Sequence, residues 1–147
     1  MTSTTPIVNG QLIGLTHYAS RALLERVLAR SGTTFPQSVA LRAIADNGGD
    51  AERAGLVDRV TAALKFSDDA AARLAVEELV AAKLLDTPTA DRVSLTDSGR
   101  ELFDSIQAGG REIASQLYAG IPQEDLETAG RVLTVVLERA NAELAAV

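Results

Sequence analysis

The chain contains no cysteine, no tryptophan and a single histidine among its 147 residues. Without cysteine there is no disulfide, no thiolate nucleophile, no thiol redox switch and no zinc finger. His17 is a poor start for a metal site, because no local spacing supplies carboxylate partners. The G-x-S-x-G, Walker-type and H-E-x-x-H patterns are also missing, so the usual nucleophile and metal routes lack their parts. Paired carboxylates occur at Asp68-Asp69 and Glu77-Glu78, yet adjacent helical positions point about 100° apart and do not converge on one substrate. The reading is a protein that is not an enzyme and needs no cofactor.

Apolar residues make up 46% of the chain, but they are scattered in helical periods and never form a run of about 18. No membrane span is expected. The start, MTSTTPIVNG, lacks the basic and apolar regions of a secretory signal, so a soluble, cytoplasmic protein is expected. A basic excess is lacking too: the formal charge is −6, and residues 50–100 hold seven basic against ten acidic side chains. That balance argues against indiscriminate nucleic-acid binding, which draws most of its affinity from a basic face. Charge is a property of faces, however, and an acidic body can carry a small basic surface. Aromatics are scarce, leaving Tyr18, Phe66, Phe103 and Tyr118 as the main platforms for a flat ligand.

What the chain does have is helical periodicity, and it is densest around residues 50–103. Leu56, Val57, Val60 and Leu64 form one apolar stripe, with Asp50 as its expected N-cap. A polar joint, Phe66-Ser67-Asp68-Asp69, follows. Ala72, Ala75, Val76 and Leu79 then form a second stripe, capped by Ser67, Asp68 or Asp69. Pro88 and its polar neighbours break the pattern, and Arg92-Val93-Ser94-Leu95-Thr96 alternates as a half-buried strand should. Thr96 is expected to end the strand and cap the next helix. The order is helix, turn, helix, wing.

Flanking elements are read the same way. Gln11 to Arg30 carries a helical stripe through Leu12, Leu15, Ala19, Leu23 and Val27, stopped by Ser31-Gly32. Residues 35–46 predict a helix with Val39, Leu41, Ile44 and Ala45 inward and Pro36 in its first turn, where a missing N–H is harmless. Asn47-Gly48-Gly49-Asp50 reads as a loop. Asp97 to Ala119 is a long helical pattern interrupted by Gly109-Gly110, which implies a bend, a break, or a close approach to the backbone. Gly120-Ile121-Pro122 ends it. Gln123 to Ala146 is helical again, and its broad apolar surface of Leu126, Val132, Leu133, Val136, Leu137 and Leu144 suggests a second chain.

The run Val93-Ser94-Leu95-Thr96-Asp97-Ser98-Gly99-Arg100 resembles the V-x-L-T-x-x-G-R junction of the MarR family of winged-helix transcription regulators. Phe35-Pro36-Gln37, Leu41-Arg42-Ala43-Ile44 and Gly48-Gly49 are similar to that family's helix leading into the DNA-binding motif, and Asp91-Arg92 resembles its wing tip. The likeness spans residues 10–146 in element order. It implies a mainly α fold with a small β wing: one domain with a winged helix-turn-helix over 33–96, flanked by dimerisation helices at 10–31 and 97–146. It also implies a homodimer that binds double-stranded DNA and answers to a small-molecule effector. Departures are a Glu77-Glu78 pair where relatives show an acidic then a basic residue, a short wing, Lys83 in place of a glycine, and one extra residue between Leu64 and Leu79.

On that resemblance Arg73 is the leading candidate for base contact, since a guanidinium can pair bidentately with guanine; the alternative is an ordinary surface arginine. Ser67, Asp69, Ala70 and Ala71 would stand at the groove, and Arg92 would reach in from the wing with Asp91 orienting a neighbouring arginine. His17, Tyr18 and Arg21 would lie over a ligand cavity, or else form plain helix surface with the tyrosine half buried. Two functions follow: a ligand-responsive dimeric repressor on a pseudo-palindromic operator, or a winged-helix dimer that has lost duplex binding and acts through protein or small-molecule contacts.

Overall fold

The structure, a computed structural model, describes residues 5–66 and 68–146. Helix α1 (Gly10–Ala29) begins where the Asn9 side chain accepts a hydrogen bond from the Leu12 N–H at 2.9 Å. Helix α2 (Phe35–Asp46) starts on a reciprocal cap: the Thr34 side chain accepts from the Gln37 N–H, and the Gln37 side chain accepts from the Thr34 N–H. A three-residue strand β1 (Asp50–Glu52) leads directly into α3 (Arg53–Ala63), and α4 (Ala70–Ala81) follows the joint. The hairpin β2 (Leu85–Thr89) and β3 (Arg92–Leu95) forms the wing, then come α5 (Asp97–Tyr118) and α6 (Gln123–Ala145).

The three strands form an antiparallel sheet in the order β1-β3-β2. Asp50, Ala51 and Glu52 pair with Ser94, Val93 and Arg92. Asp50 is therefore not the N-cap of α3. It is drawn into the sheet, and the capping position falls to Glu52, whose side chain makes no capping bond. Strand β2 contains Pro88, which a periodicity reading assigns to loop. The sheet accommodates it because β2 is an edge strand, and the pairing slips between Asp86 and Thr89, where the proline offers no donor.

Contacts divide the chain into two compact units, Met1–Ile113 and Ala114–Val147. The first holds the core: Ala40, Leu41 and Ile44 of α2, Leu56, Val57 and Val60 of α3, Ala72, Val76 and Leu79 of α4, Leu85 and Val93 of the wing, and Phe103 of α5. Both predicted stripes of the helix-turn-helix pair thus face inward. Thr96 ties wing to helix as expected. Its hydroxyl lies within hydrogen-bond reach of the Lys83 and Leu84 carbonyls, at 2.8 and 3.0 Å, and accepts from the Gly99 N–H at 3.0 Å. Helix α5 runs through Gly109-Gly110 without a break. Of the readings offered for that pair, close approach holds: a β-carbon at 109 would stand 2.6 Å from Val27 Cγ1, whereas one at 110 meets nothing within 4 Å.

The second unit holds the end of α5 and all of α6. Gly120, at φ +77°, turns the chain, and Glu124 and Asp125 place acidic charge in the first turn of α6, where it suits the helix dipole. Among the described residues of α6 none is buried, and Val132, Leu133, Val135, Val136, Leu137 and Leu144 are exposed. In the first unit the N-terminal half of α1 is equally uncovered. Leu12, Leu15 and Tyr18 face out along with Ile7 and Val8, and only Val27 and Leu28 at its other end are buried.

Candidate nucleic-acid interface

Helix α4 buries Ala72, Ala75, Val76 and Leu79 and leaves Ala70, Ala71, Arg73, Leu74, Glu77 and Glu78 exposed. Its position is fixed at both ends. Ahead of it, α3 closes on Lys65 in the left-handed region, with the Phe66 N–H donating to the Thr61 carbonyl and the Lys65 N–H to that of Ala62. Asp68 accepts from the Ala70 N–H through Oδ1 at 3.0 Å, while Asp69, in the capping position, makes no side-chain cap. Ser67 lies outside the described residues. After α4 the same closure recurs at Lys83, whose φ is 61°.

The wing is tied to the start of α3 by a bond from the Arg53 N–H to the Asp91 carbonyl at 2.7 Å. Between α3, the start of α4 and the wing lies an open hollow of about 760 Å³. Arg53, Arg73 and Arg92 line it together with Glu52, Asp58, Asp69 and Asp91. The structure thus brings Asp69, Arg73, Asp91 and Arg92 into one place, while Ala70 and Ala71 are exposed on α4 and do not line it.

Neither of the two candidate DNA-contacting arginines, Arg73 and Arg92, is uncommitted. Arg73 Nη2 lies 2.6 Å from Asp69 Oδ1, one helical turn back, and Arg92 Nη2 is bonded to Asp50 Oδ2 across the sheet. The carboxylate orienting Arg92 is therefore Asp50, while the arginine that Asp91 bonds is Arg53, through main-chain atoms on both sides. The hydrogen bond that Arg73 donates to Asp69, then the charge of that carboxylate, holds the Arg73 guanidinium above its ordinary range, with Glu77 and Asp68 adding to the effect. Asp50 does the same for Arg92, with a smaller contribution from Glu52. These pairs are exposed and screened, so they steer the side chains more than they stabilise the fold.

Three features of this surface are missing from the sequence-based expectation. Asp50 and Arg92 are 42 residues apart, and nothing local links them. Arg53 joins the hollow because β1 runs straight into α3. Leu74 is 55% exposed at the centre of the outer face of α4; its spacing from the buried Ala72, Ala75, Val76 and Leu79 was the available signal.

His17, Tyr18 and Arg21 are on α1, away from that hollow. The rings of His17 and Tyr18 lie 5.5 Å apart and are exposed. Arg21 sits over the Phe35 ring at 4.3 Å and pairs with Glu25. A second hollow, about 310 Å³, opens between the end of α1 and α5, lined by Val27, Arg30, Ser31, Ser105, Ile106 and Glu112 among others; none of the three residues borders it. Among the described residues no cluster of His, Asp or Glu is arranged to hold a metal ion, and no helix is long and apolar enough to cross a membrane.

No protein-family model and no curated protein matches the chain by sequence. Solved structures do match. A MarR family protein of Mycobacterium tuberculosis, determined in complex with DNA, superposes with a TM-score of 0.71 over 89% of this chain and 98% of its own, at 21% identity. BpsR of Bordetella bronchiseptica, whose DNA binding is regulated by 6-hydroxynicotinic acid, gives 0.65 over 95% and 97%, at 25% identity. CouR of Rhodococcus jostii RHA1, determined with p-coumaroyl-CoA bound, gives 0.70 over 86% and 89%, at 18% identity. Among the described residues, six helices and a small antiparallel wing, in this order along nearly the whole length, give the chain the winged-helix fold of the MarR family transcription regulators.

Proposed function

We propose that the protein is a MarR family transcription regulator: a homodimer that represses by holding a pseudo-palindromic operator and lets go when a small molecule binds. The observation that carries this reading is the exposed face of α4 set beside a wing with Arg92 next to the turn at its tip and Arg53 bonded to that turn through its N–H, all on one body with a packed core. A helix so presented fits a major groove about 12 Å wide, and the wing beside it is the element that would meet the neighbouring backbone. The relative solved on DNA supports the use of this fold for duplex binding. Those whose structures involve 6-hydroxynicotinic acid and p-coumaroyl-CoA support a small-molecule effector. Uncovered apolar residues on α1 and on α6 support a second copy as their cover. An effector works by binding one spacing of the two α4 helices more tightly than another.

A second reading, a winged-helix dimer that no longer grips duplex DNA, draws on the acidic surroundings: the two candidate arginines, Arg73 and Arg92, are already paired with carboxylates. Duplex binding across a salt series separates the two. A regulator loses affinity linearly with log[salt], at a slope of about −0.9 per phosphate contacted. Arg73→Ala then weakens the preferred duplex by roughly 1–3 kcal/mol if the side chain meets guanine. Absence of binding to genomic or random duplex at about 50 mM salt sinks the regulator and leaves the second reading.

A further inference from the structure

The buried residues of α4, Ala72, Ala75, Val76 and Leu79, define the side of the helix that faces the core. At about 100° per residue, the opposite side is the line Ala70, Leu74, Glu77, Ala81. Leu74 is the largest apolar side chain on that line and is 55% exposed. Arg73 stands about 100° round the helix from Leu74. It is held at the flank by Asp69 and lines the hollow beside the wing, which Leu74 does not border. A lone exposed leucine is ordinary on a protein surface. This one occupies the outermost point of the helix that the fold presents, and the N-terminal half of that line offers no hydrogen-bonding side chain at all.

We infer that this chain reads its operator through apolar contact between Leu74, with Ala70 beside it, and thymine 5-methyl groups on the floor of the major groove, while Arg73 serves the flank. The inference rests on the reading of the protein as a duplex-binding regulator. Of the groups the major groove displays, the thymine methyl is the apolar one. A leucine pressed against the polar edge of a G·C pair would strip water from donors and acceptors and return nothing to them. One turn further on, Glu77 can accept from the amino group of cytosine but is repelled by phosphate. The half-site is therefore thymine-bearing opposite Leu74, and any polar readout from this line falls on cytosine opposite Glu77.

The test selects bound sequences from a random duplex pool with the full-length protein at low salt, then replaces the thymines of the selected half-site with uracil, which lacks only the methyl group. The expected result is fixed thymines, an affinity loss of about fourfold for each methyl removed from contact, and disappearance of that loss in Leu74→Ala. Thermal unfolding of Leu74→Ala, expected to match the wild type because the side chain is exposed, confirms that the variant is folded. If duplex is bound but uracil costs nothing, or costs the same in Leu74→Ala, methyl readout by this residue is wrong while duplex binding stands. If no duplex is retained from the pool, both fall.

Discussion

A β-carbon at position 99 would lie 2.1 Å from the Leu84 carbonyl oxygen and 2.8 Å from the Leu95 side chain, with the oxygen belonging to backbone that cannot swing aside. This gives a physical reason for glycine in the Thr96-Asp97-Ser98-Gly99 junction: the first turn of α5 passes against the chain leaving α4. Gly99→Ala is expected to destabilise the fold by roughly 1–3 kcal/mol, as overpacking of tight sites does, read as a lower urea midpoint at unchanged slope. At the interface, the pairing of Arg92 with Asp50 sets a different expectation. Asp50→Asn removes a negative charge and frees the guanidinium for phosphate, so duplex affinity should rise and the salt slope steepen by about 0.9, one added phosphate contact. An unchanged slope would show that Arg92 never reaches the backbone. Neither pair makes the site pH-sensitive near neutrality. Both guanidinium values are raised, so their contribution is full below the unfolded arginine value and is lost only as pH climbs beyond it.

Each of the helices α3 and α4 closes on a lysine in the left-handed region, where glycine is the usual residue. Left-handed backbone costs a side-chain-bearing residue roughly 1–2 kcal/mol, against about 0.5–1 kcal/mol for the extra freedom glycine loses on folding. The first outweighs the second, so Lys83→Gly should stabilise the fold by about 0.5–1 kcal/mol, measured as a higher urea midpoint. Periodicity sufficed to locate the helices, since apolar residues recur at helical spacing over several turns of each, whether the face they form is buried as in α4 or exposed as in α6. It failed at β1, whose three residues are too few to show a period, and at β2, where Pro88 argues against a strand that only an edge position permits. For the interface, Asp69 and Arg73 were legible as an i, i+4 pair, but the Asp50–Arg92 bond exists only because β1 pairs with β3. Leu74 was visible in the spacing of α4, yet an apolar residue carries meaning there only once its outward direction is known.

In the proposed regulator, acidic overall charge and a duplex partner are reconciled by separating the body of the molecule from one small face. The net charge of −6 repels phosphate at a distance and slows encounter. Near contact the groups that matter are the three arginines of the hollow and the apolar line of α4. Affinity then depends on close fit more than on steering, and two copies acting together raise it by making the second contact intramolecular. In the proposed dimer, the partner copy that lets one such face hold an operator firmly also covers the exposed apolar residues of α1 and of α6.

Footprinting of the full-length protein on its selected duplex tests this most directly. The expected pattern is two equivalent protected half-sites on one face of the DNA, about 34–36 Å or a multiple of that from centre to centre. A single unpaired footprint, or protection with no regular spacing, would contradict a paired regulator that sets two copies of α4 into neighbouring major grooves.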